Sequence, residues 1–515
     1  MNDTAVNWRR RPPAFAVPET AVRRLALRPI AAQTAAGTAT LYSANRLIAG
    51  TADASKRALT DHAAGELDRL AAKLGMAVTR RSLAVPRSSK DRTPLASPRT
   101  GQSRIDLASI KGAPEPDAWE LLSEATEKGI EAAESLALSH VLMAGGSVRG
   151  VGYVSGVGYV SGVGYVSGVG YVSGVGYVSG VGESAPGAPA GRMPVAWPGV
   201  APIAARDAGS PTVAILDTGL GAHPWFETNV TRDPRLNGAP IGLRFQPDDD
   251  PERSGITLDP INRTLDPMAG HGTFIAGIIR AACPSAHLIS VPVMYGDGAC
   301  DELDLIAALQ LLHERQLLAQ AGTISEPPID IINLSMGYYH EAPDTVSDTV
   351  GLAAALHSLT ELGVTVVASA GNGASDVEFW PAAMCRDHEQ ASGAPLVSVG
   401  SCNPGSQTVS QFSNTGDWVR TYRPGAAIVS TMPTSFNAAA QSSTHSQPPA
   451  FPVRSTLDVD DYSGGFGIWS GTSFAAPLFA GQLAQRLAEP RPARAQSTRE
   501  MGALVAALCA EGGLR

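Results

Sequence analysis

Four residues carry side chains able to do chemistry together: Asp217, His271, Asn372 and Ser473, in that order and 54, 101 and 101 residues apart. Asp217 closes the apolar run 213–216 and precedes Thr218-Gly219. A carboxylate at the C-terminal end of a buried parallel strand sits where open α/β sheets hold their ligands, although a turn or capping Asp has the same local look. His271 stands between Gly270 and Gly272, ahead of a helical pattern, so its imidazole is sterically open. A lone histidine is more often a surface or core residue than a catalyst. Ser473 lies in Gly471-Thr472-Ser473-Phe474-Ala475-Ala476-Pro477 and opens a helix. A serine there is an N-cap, or a nucleophile whose developing oxyanion meets the free amides of the helix start. Asn372, between Gly371 and Gly373, is a turn residue or a side-chain amide donor to that oxyanion. Each signal alone is weak; the four in this order are a strong one.

The elements that must position them alternate in type. Runs 213–216, 288–293, 329–334, 364–369 and 396–399 read as short buried strands. Segments 273–282, 301–319, 346–362 and 472–487 carry helical periodicity. Such alternation predicts an α/β domain, a mostly parallel sheet covered by helices on both faces.

At this point the text of residues 200–490 resembles the subtilisin-like serine proteases (subtilases, peptidase family S8). The matching segments are AILDTGLGAHPWF, GHGTFIAGII, IINLSMGYY, VVASAGNG, FSNTG, RPGAAIVSTMP and GTSFAAPLFAG. The resemblance implies a three-layer subtilisin-like domain. It also implies roles: Ser473 as nucleophile, His271 as general base and then acid, Asp217 as the carboxylate that orients the imidazole, and Asn372 with the Ser473 amide as oxyanion hole. Ser335, Met336, Gly337, Ala370 and Gly371 match the family's substrate-binding strand and pocket wall, where a polypeptide substrate would lie extended and pair by its backbone. The expected activity is serine endopeptidase; the alternative is a non-catalytic binding protein on the same scaffold, which the intact four residues disfavour.

Around this domain (195–490) the chain divides by composition. Residues 1–40 are rich in Ala, Arg and Pro and read as a disordered tail. Residues 41–110 read as strand–helix–strand, a small α+β region that resembles the family's pro-segments, which act as chaperone and inhibitor; it is the expected intramolecular partner, with self-cleavage between 111 and 201, and the alternative is a permanent partner- or substrate-docking domain with no processing. Residues 111–145 read as a helical connector. Then the hexapeptide VGYVSG occurs five times in tandem over 151–180. Two glycines per unit make ordering costly, so 146–194 is expected to be a linker, with a strand ribbon or adhesive tether as the alternative. Residues 491–515 are expected to be a tail with a short helix.

The chain of 515 residues has 39 Lys+Arg against 48 Asp+Glu, a net charge of −9. That balance argues against a nucleic-acid partner. No apolar run approaches the ~18 residues of a membrane span. Prolines and a second basic group interrupt 1–30 where a secretory leader would need an apolar core, so the reading is cytoplasmic by default, with secretion left open. No cofactor is required for the chemistry and no metal site is read. Carboxylates cluster in 243–268 (Asp248, Asp249, Asp250, Glu252, Asp259, Asp266) without a calcium-loop spacing; a structural calcium there has no specific motif, and a solvated acidic loop is the expectation. A second insertion, 434–464, brings Asp458, Asp460 and Asp461 ahead of the nucleophile. Five cysteines leave an odd thiol; Cys283 with Cys300 and Cys385 with Cys402 are candidate pairs, reduced thiols the alternative.

Overall fold

The computed structural model describes residues 19–31, 39–50, 61–83, 102–144, 192–340, 351–438, 445–446, 452–455, 461–489 and 498–512, together with 449 and 514 and save short gaps within these ranges. The VGYVSG tract and residues 1–18 lie outside the described residues, as do Asp458 and Asp460.

In the N-terminal region come α1 (Glu19–Leu25), β1 (Leu27–Ala31), β2 (Ala39–Ala49), α2 (Asp61–Lys73), β3 (Met76–Ser82), β4 (Ser103–Ser109), α3 (Ala118–Glu127) and β5 (Leu136–Ala144). From residue 192 onward follow β6 (Thr212–Asp217), β7 (Val230–Thr231), α4 (His271–Ala282), β8 (His287–Pro292), β9 (Ala299–Asp301), α5 (Glu302–Gln320), β10 (Ile331–Leu334), β11 (Met336–Gly337), α6 (Gly351–Glu361), β12 (Thr365–Ser369), β13 (Leu396–Cys402), β14 (Thr421–Pro424), α7 (Thr472–Ala488) and α8 (Thr498–Glu511).

Seven strands form one parallel sheet in the order β14-β13-β12-β10-β6-β8-β7. Its central strands are buried on both faces, which is why they read as unbroken apolar runs. The two faces separate by residue parity. Ala214 and Leu216 of β6 join the layer built on α5 and α6, with Leu305, Leu309 and Leu356. Val213 and Ile215 join the layer built on α4 and α7, with Ile275, Ile279, Phe479 and Leu483. The result is three layers, helix–sheet–helix, as the alternation predicts.

The N-terminal region differs from its reading. Residues 19–31 are not tail but α1 and β1, the latter paired antiparallel with β2. The stretch 111–145 is not wholly helical: Asp117 caps α3 through Trp119 N at 3.0 Å, and after a short 3-10 turn the chain becomes strand β5. These strands make an antiparallel sheet, β9-β5-β2-β4-β3, packed on α2 and α3 through Leu47, Leu67, Ile105, Leu121 and Leu138. The sheet is shared with the three-layer domain. Cys300 of β9 pairs with Leu142, and Gly337 of β11 and Ala299 of β9 both pair with Met143. One residue paired with two strands must have them on opposite edges, so the end of β5 lies between β9 and β11. Arg24 adds a two-pronged ion pair to Asp297 at 2.7 and 3.0 Å, and Arg46 pairs with Asp301.

The candidate cysteine pairs do not form; no disulfide joins any of the five cysteines. Cys283 packs in the α4/α7 layer and Cys300 in the α5/α6 layer, with the sheet between them. The Cys385 sulfur lies 3.4 Å from Ser398 Oγ, four residues back along β13 from Cys402. Four residues of strand span about 13 Å, beyond a disulfide's reach.

Candidate active site

Asp217 ends β6 and His271 opens α4. Asp217 Oδ1 takes the Thr218 amide at 2.8 Å and lies 2.7 Å from His271 Nδ1. Both residues are buried, so this bond works in a low dielectric. It assigns the Nδ1 proton to the carboxylate side and leaves Nε2 as the basic nitrogen. Trp469 and Phe474 pack on the imidazole, with ring centroids 5.5 and 5.4 Å away. Helix α4 can approach this closely because residue 272 is glycine: a Cβ there would collide with the Gly219 carbonyl. Instead the Gly272 amide reaches Thr218 Oγ1 at 2.8 Å.

Ser473 is the second residue of α7 and neighbours Phe474, which touches the imidazole. Its hydroxyl donates to Ser335 O at 3.2 Å and is not bonded to His271. Catalytic hydrogen bonds often tighten only with substrate present. Ser335 Oγ donates in return to Ser473 O at 2.9 Å. Pro477 explains this second bond. A helical carbonyl expects the amide four residues on, and Pro477 has none to give. Ser335 thus ties the segment 335–337 to the backbone carbonyl of Ser473. Ser335→Ala is expected to lower the unfolding free energy by about 1–3 kcal/mol, the cost of a buried acceptor without a donor, measured by denaturant titration.

Asn372 Oδ1 accepts from Thr472 N at 2.8 Å and Thr472 Oγ1 at 2.9 Å. These two bonds fix the amide plane and make the other end, Nδ2, the donor presented away from Thr472. Met336 and Gly337 form β11. Ala370 O accepts from Asn414 Nδ2 at 2.8 Å, and the same nitrogen reaches Tyr339 Oη at 2.9 Å. Gly371 has φ +91°, and a Cβ there would sit 2.6 Å from Asn414 Nδ2, so a side chain is excluded twice over.

The sequence pattern of the Subtilase family matches residues 209–505, more than half of the chain. The chain belongs to the subtilase family. Among relatives, a subtilase-type proteinase of Saccharomyces cerevisiae is 26% identical over 230 residues, 43% of this chain and 38% of that one. Subtilisin BL of Lederbergia lenta is 29% identical over 246 residues, 46% of this chain and 71% of that one. The match to the yeast protein thus spans little more than a third of that protein's length. Among solved structures, that of fervidolysin from Fervidobacterium pennivorans, a keratinolytic enzyme related to subtilisin, aligns over 88% of this chain and 56% of its own, at 16% identity and a TM-score of 0.43.

Two residues that shape this subtilase's site escape a sequence reading. Asn414 sits in the matching segment FSNTG, but its task, holding Ala370 and Tyr339 together, depends on contacts distant in sequence. Glu252 belongs to the supposed solvated acidic loop. In fact Glu252 is 3% and Asp266 1% exposed. Asp266 takes Thr257 N, Thr257 Oγ1 and Leu258 N, at 2.6–3.1 Å. Glu252 takes Thr218 Oγ1, Gly272 N at 3.0 Å and Thr273 Oγ1 at 2.5 Å. Among the described residues no group of three or more His, Cys, Asp and Glu is placed to hold a metal ion.

Burial pushes the Glu252 carboxyl up to about 8; the Thr218 and Thr273 hydrogen bonds oppose the shift, while Asp250 and Asp217 add to it. From its ordinary 4.5 to about 8 the folded chain therefore holds a proton that the unfolded chain releases. The stabilisation is complete below 4.5, falls by about 1.4 kcal/mol per pH unit and is gone above 8. Glu252→Gln is expected to remove that slope from denaturant melts run between pH 5 and 8.

Proposed function

We propose that this subtilase is a serine endopeptidase that cuts its own chain after β5. In this reading Ser473 Oγ attacks the scissile carbonyl, and His271 Nε2 takes its proton and later delivers it to the leaving amine. Asp217 holds the imidazole's orientation and stabilises the imidazolium. The Asn372 amide and the Ser473 backbone N–H receive the oxyanion. The substrate is a polypeptide, bound extended along Ser335, Met336 and Gly337 with Ala370 and Gly371 as the pocket wall.

The observation that carries the reading is β5 itself. It runs antiparallel to β11 and β9, as a bound peptide would, and Ala144 pairs with Met336, one residue from Ser335, whose carbonyl holds the Ser473 hydroxyl. The Ala144 amide adds a bond to Gly298 O at 3.0 Å. Its own N-terminal region is then both first substrate and inhibitor. Met193–Pro194 pairs with Gly467 and Ile468, which supports a cut within 145–191. The test is mass spectrometry of purified wild type beside Ser473→Ala. Wild type shortened within 145–191, with the variant intact, is expected. Both chains intact would overturn self-cleavage, and absence of fluorophosphonate labelling at Ser473 would overturn the peptidase reading.

A further inference from the structure

Glu252 has no part in a three-residue triad, yet it is bonded to the residue that follows each member of the Asp217–His271 pair. Oε1 takes the Thr218 hydroxyl and the Gly272 amide; Oε2 takes the Thr273 hydroxyl. We propose that Glu252 is a positioning residue for the Asp217–His271 pair, acting through the Thr218 hydroxyl, and that its charge sets how strongly Asp217 holds the imidazolium. The inference deepens the peptidase reading and rests on it.

Each of these hydroxyls has a single proton to give. Thr273 Oγ1 accepts from Gly221 N at 2.7 Å, so its own proton goes to Glu252 Oε2. Thr218 Oγ1 accepts from Gly272 N at 2.8 Å and has one proton of its own. Two carboxylate oxygens lie within its reach, Glu252 Oε1 and, at 3.2 Å, Asp217 Oδ1. A hydroxyl cannot donate to both. When Glu252 is ionised, the Thr218 proton points to it, and Asp217 loses a donor while a second negative charge stands close by. When Glu252 is neutral, its acid proton sits on Oε1, because the Thr218 hydroxyl has a second acceptor in Asp217 Oδ1 and the Thr273 hydroxyl has none among the described residues. It then donates to Thr218 Oγ1, and the Thr218 proton turns to Asp217. The two states differ in the hydrogen bonds and in the charge that Asp217 feels, with no movement of the backbone.

The charged groups that face Glu252 are few. Asp250, on its own loop, accepts the Glu252 amide at 2.8 Å; Asp217 comes from β6; His271, on α4, lies across Asp217. No ion pair to Glu252 occurs among the described residues. Arg253, next on the same loop, is exposed and acts on Asp250, no cation is among the groups that shift Glu252, and burial places its titration near 8.

The test is the second-order rate of Ser473 labelling by a fluorophosphonate, from pH 6 to 10, on self-processed protein. Wild type is expected to rise in two steps. The upper one, centred near 8, gives a further gain of about two- to tenfold, as one added charge near a buried ion pair would. Glu252→Gln and Thr218→Val are expected to lose the upper step, and Thr218→Ser to keep it. A wild type with no upper step overturns the proposal whatever the variants do. Variants that label more slowly but keep the step show a merely structural residue and also overturn it. A wild type that never labels at Ser473 overturns the triad reading and this inference together.

Discussion

Ser473→Ala is expected to leave the chain at full length and to lower peptide hydrolysis by about 10⁶-fold, a magnitude carried over from subtilisin. The substitution removes one oxygen and leaves the scaffold nearly untouched. The lost hydroxyl gives a hydrogen bond only to Ser335 O. The other link between these residues, Ser335 Oγ to Ser473 O, uses the backbone and survives. Stability should therefore change by less than about 1 kcal/mol while the rate collapses. The split is the diagnostic. A Ser473→Ala protein that still shortens within 145–191 would place the cut with another nucleophile or a contaminating protease. Residual hydrolysis within about tenfold of wild type would remove Ser473 from the chemistry altogether. His271→Ala should behave alike, because the attacking oxygen then has no base.

The three-layer half was legible because Asp217, His271 and Ser473 each mark a boundary that sequence patterns report well. Asp217 ends an apolar run, and His271 and Ser473 open helices whose small residues permit close packing. Such signals are local. The N-terminal half was less legible because its cues are not. β5 reads LALSHVLMA, which lacks the polar alternation of a half-buried strand and is rich in helix formers. Its apolar run has a tertiary cause. Leu142 and Ala144 face the three-layer domain, while Val141 and Met143 are covered by Ala21, Leu25 and Leu27 from α1 and β1. With both faces covered, alternation disappears. Helix α1 was lost for a related reason. Arg24 looked like part of a basic tail, and its partner Asp297 lies 273 residues away. Glu252 escapes a sequence reading because an acidic loop and a buried acid have the same letters. Only the hydroxyls of Thr218 and Thr273, supplied by two other elements, tell them apart.

Leu142→Asp is expected to open the cleft by about 10³-fold. Leu142 is fully buried, in the cluster that holds Met294, Cys300, Leu305 and Met336, and its backbone pairs with Cys300. An aspartate there would be a buried charge without a cation. Arg46 and Arg24, which reach this edge, are already engaged by Asp301 and Asp297. Asp301 and Glu302 add repulsion from the same edge. An uncompensated buried charge costs several kcal/mol, and about 4 kcal/mol corresponds to roughly 10³ in occupancy. The cost falls on the seated form of β5 alone, since an unseated strand holds the new carboxylate in water. The measurement is best made in a Ser473→Ala background, where self-cleavage cannot confuse the result. A fluorescent apolar peptide titrated against the full chain binds only the fraction whose cleft is free, so its apparent affinity scales with that fraction. Leu142→Asp should tighten it by about 10³, while Leu142→Met, which conserves volume, should change it by less than about tenfold. Equal binding by all three proteins would mean that β5 does not compete for this cleft. The N-terminal region would then be a docking domain beside the site, not an inhibitor within it.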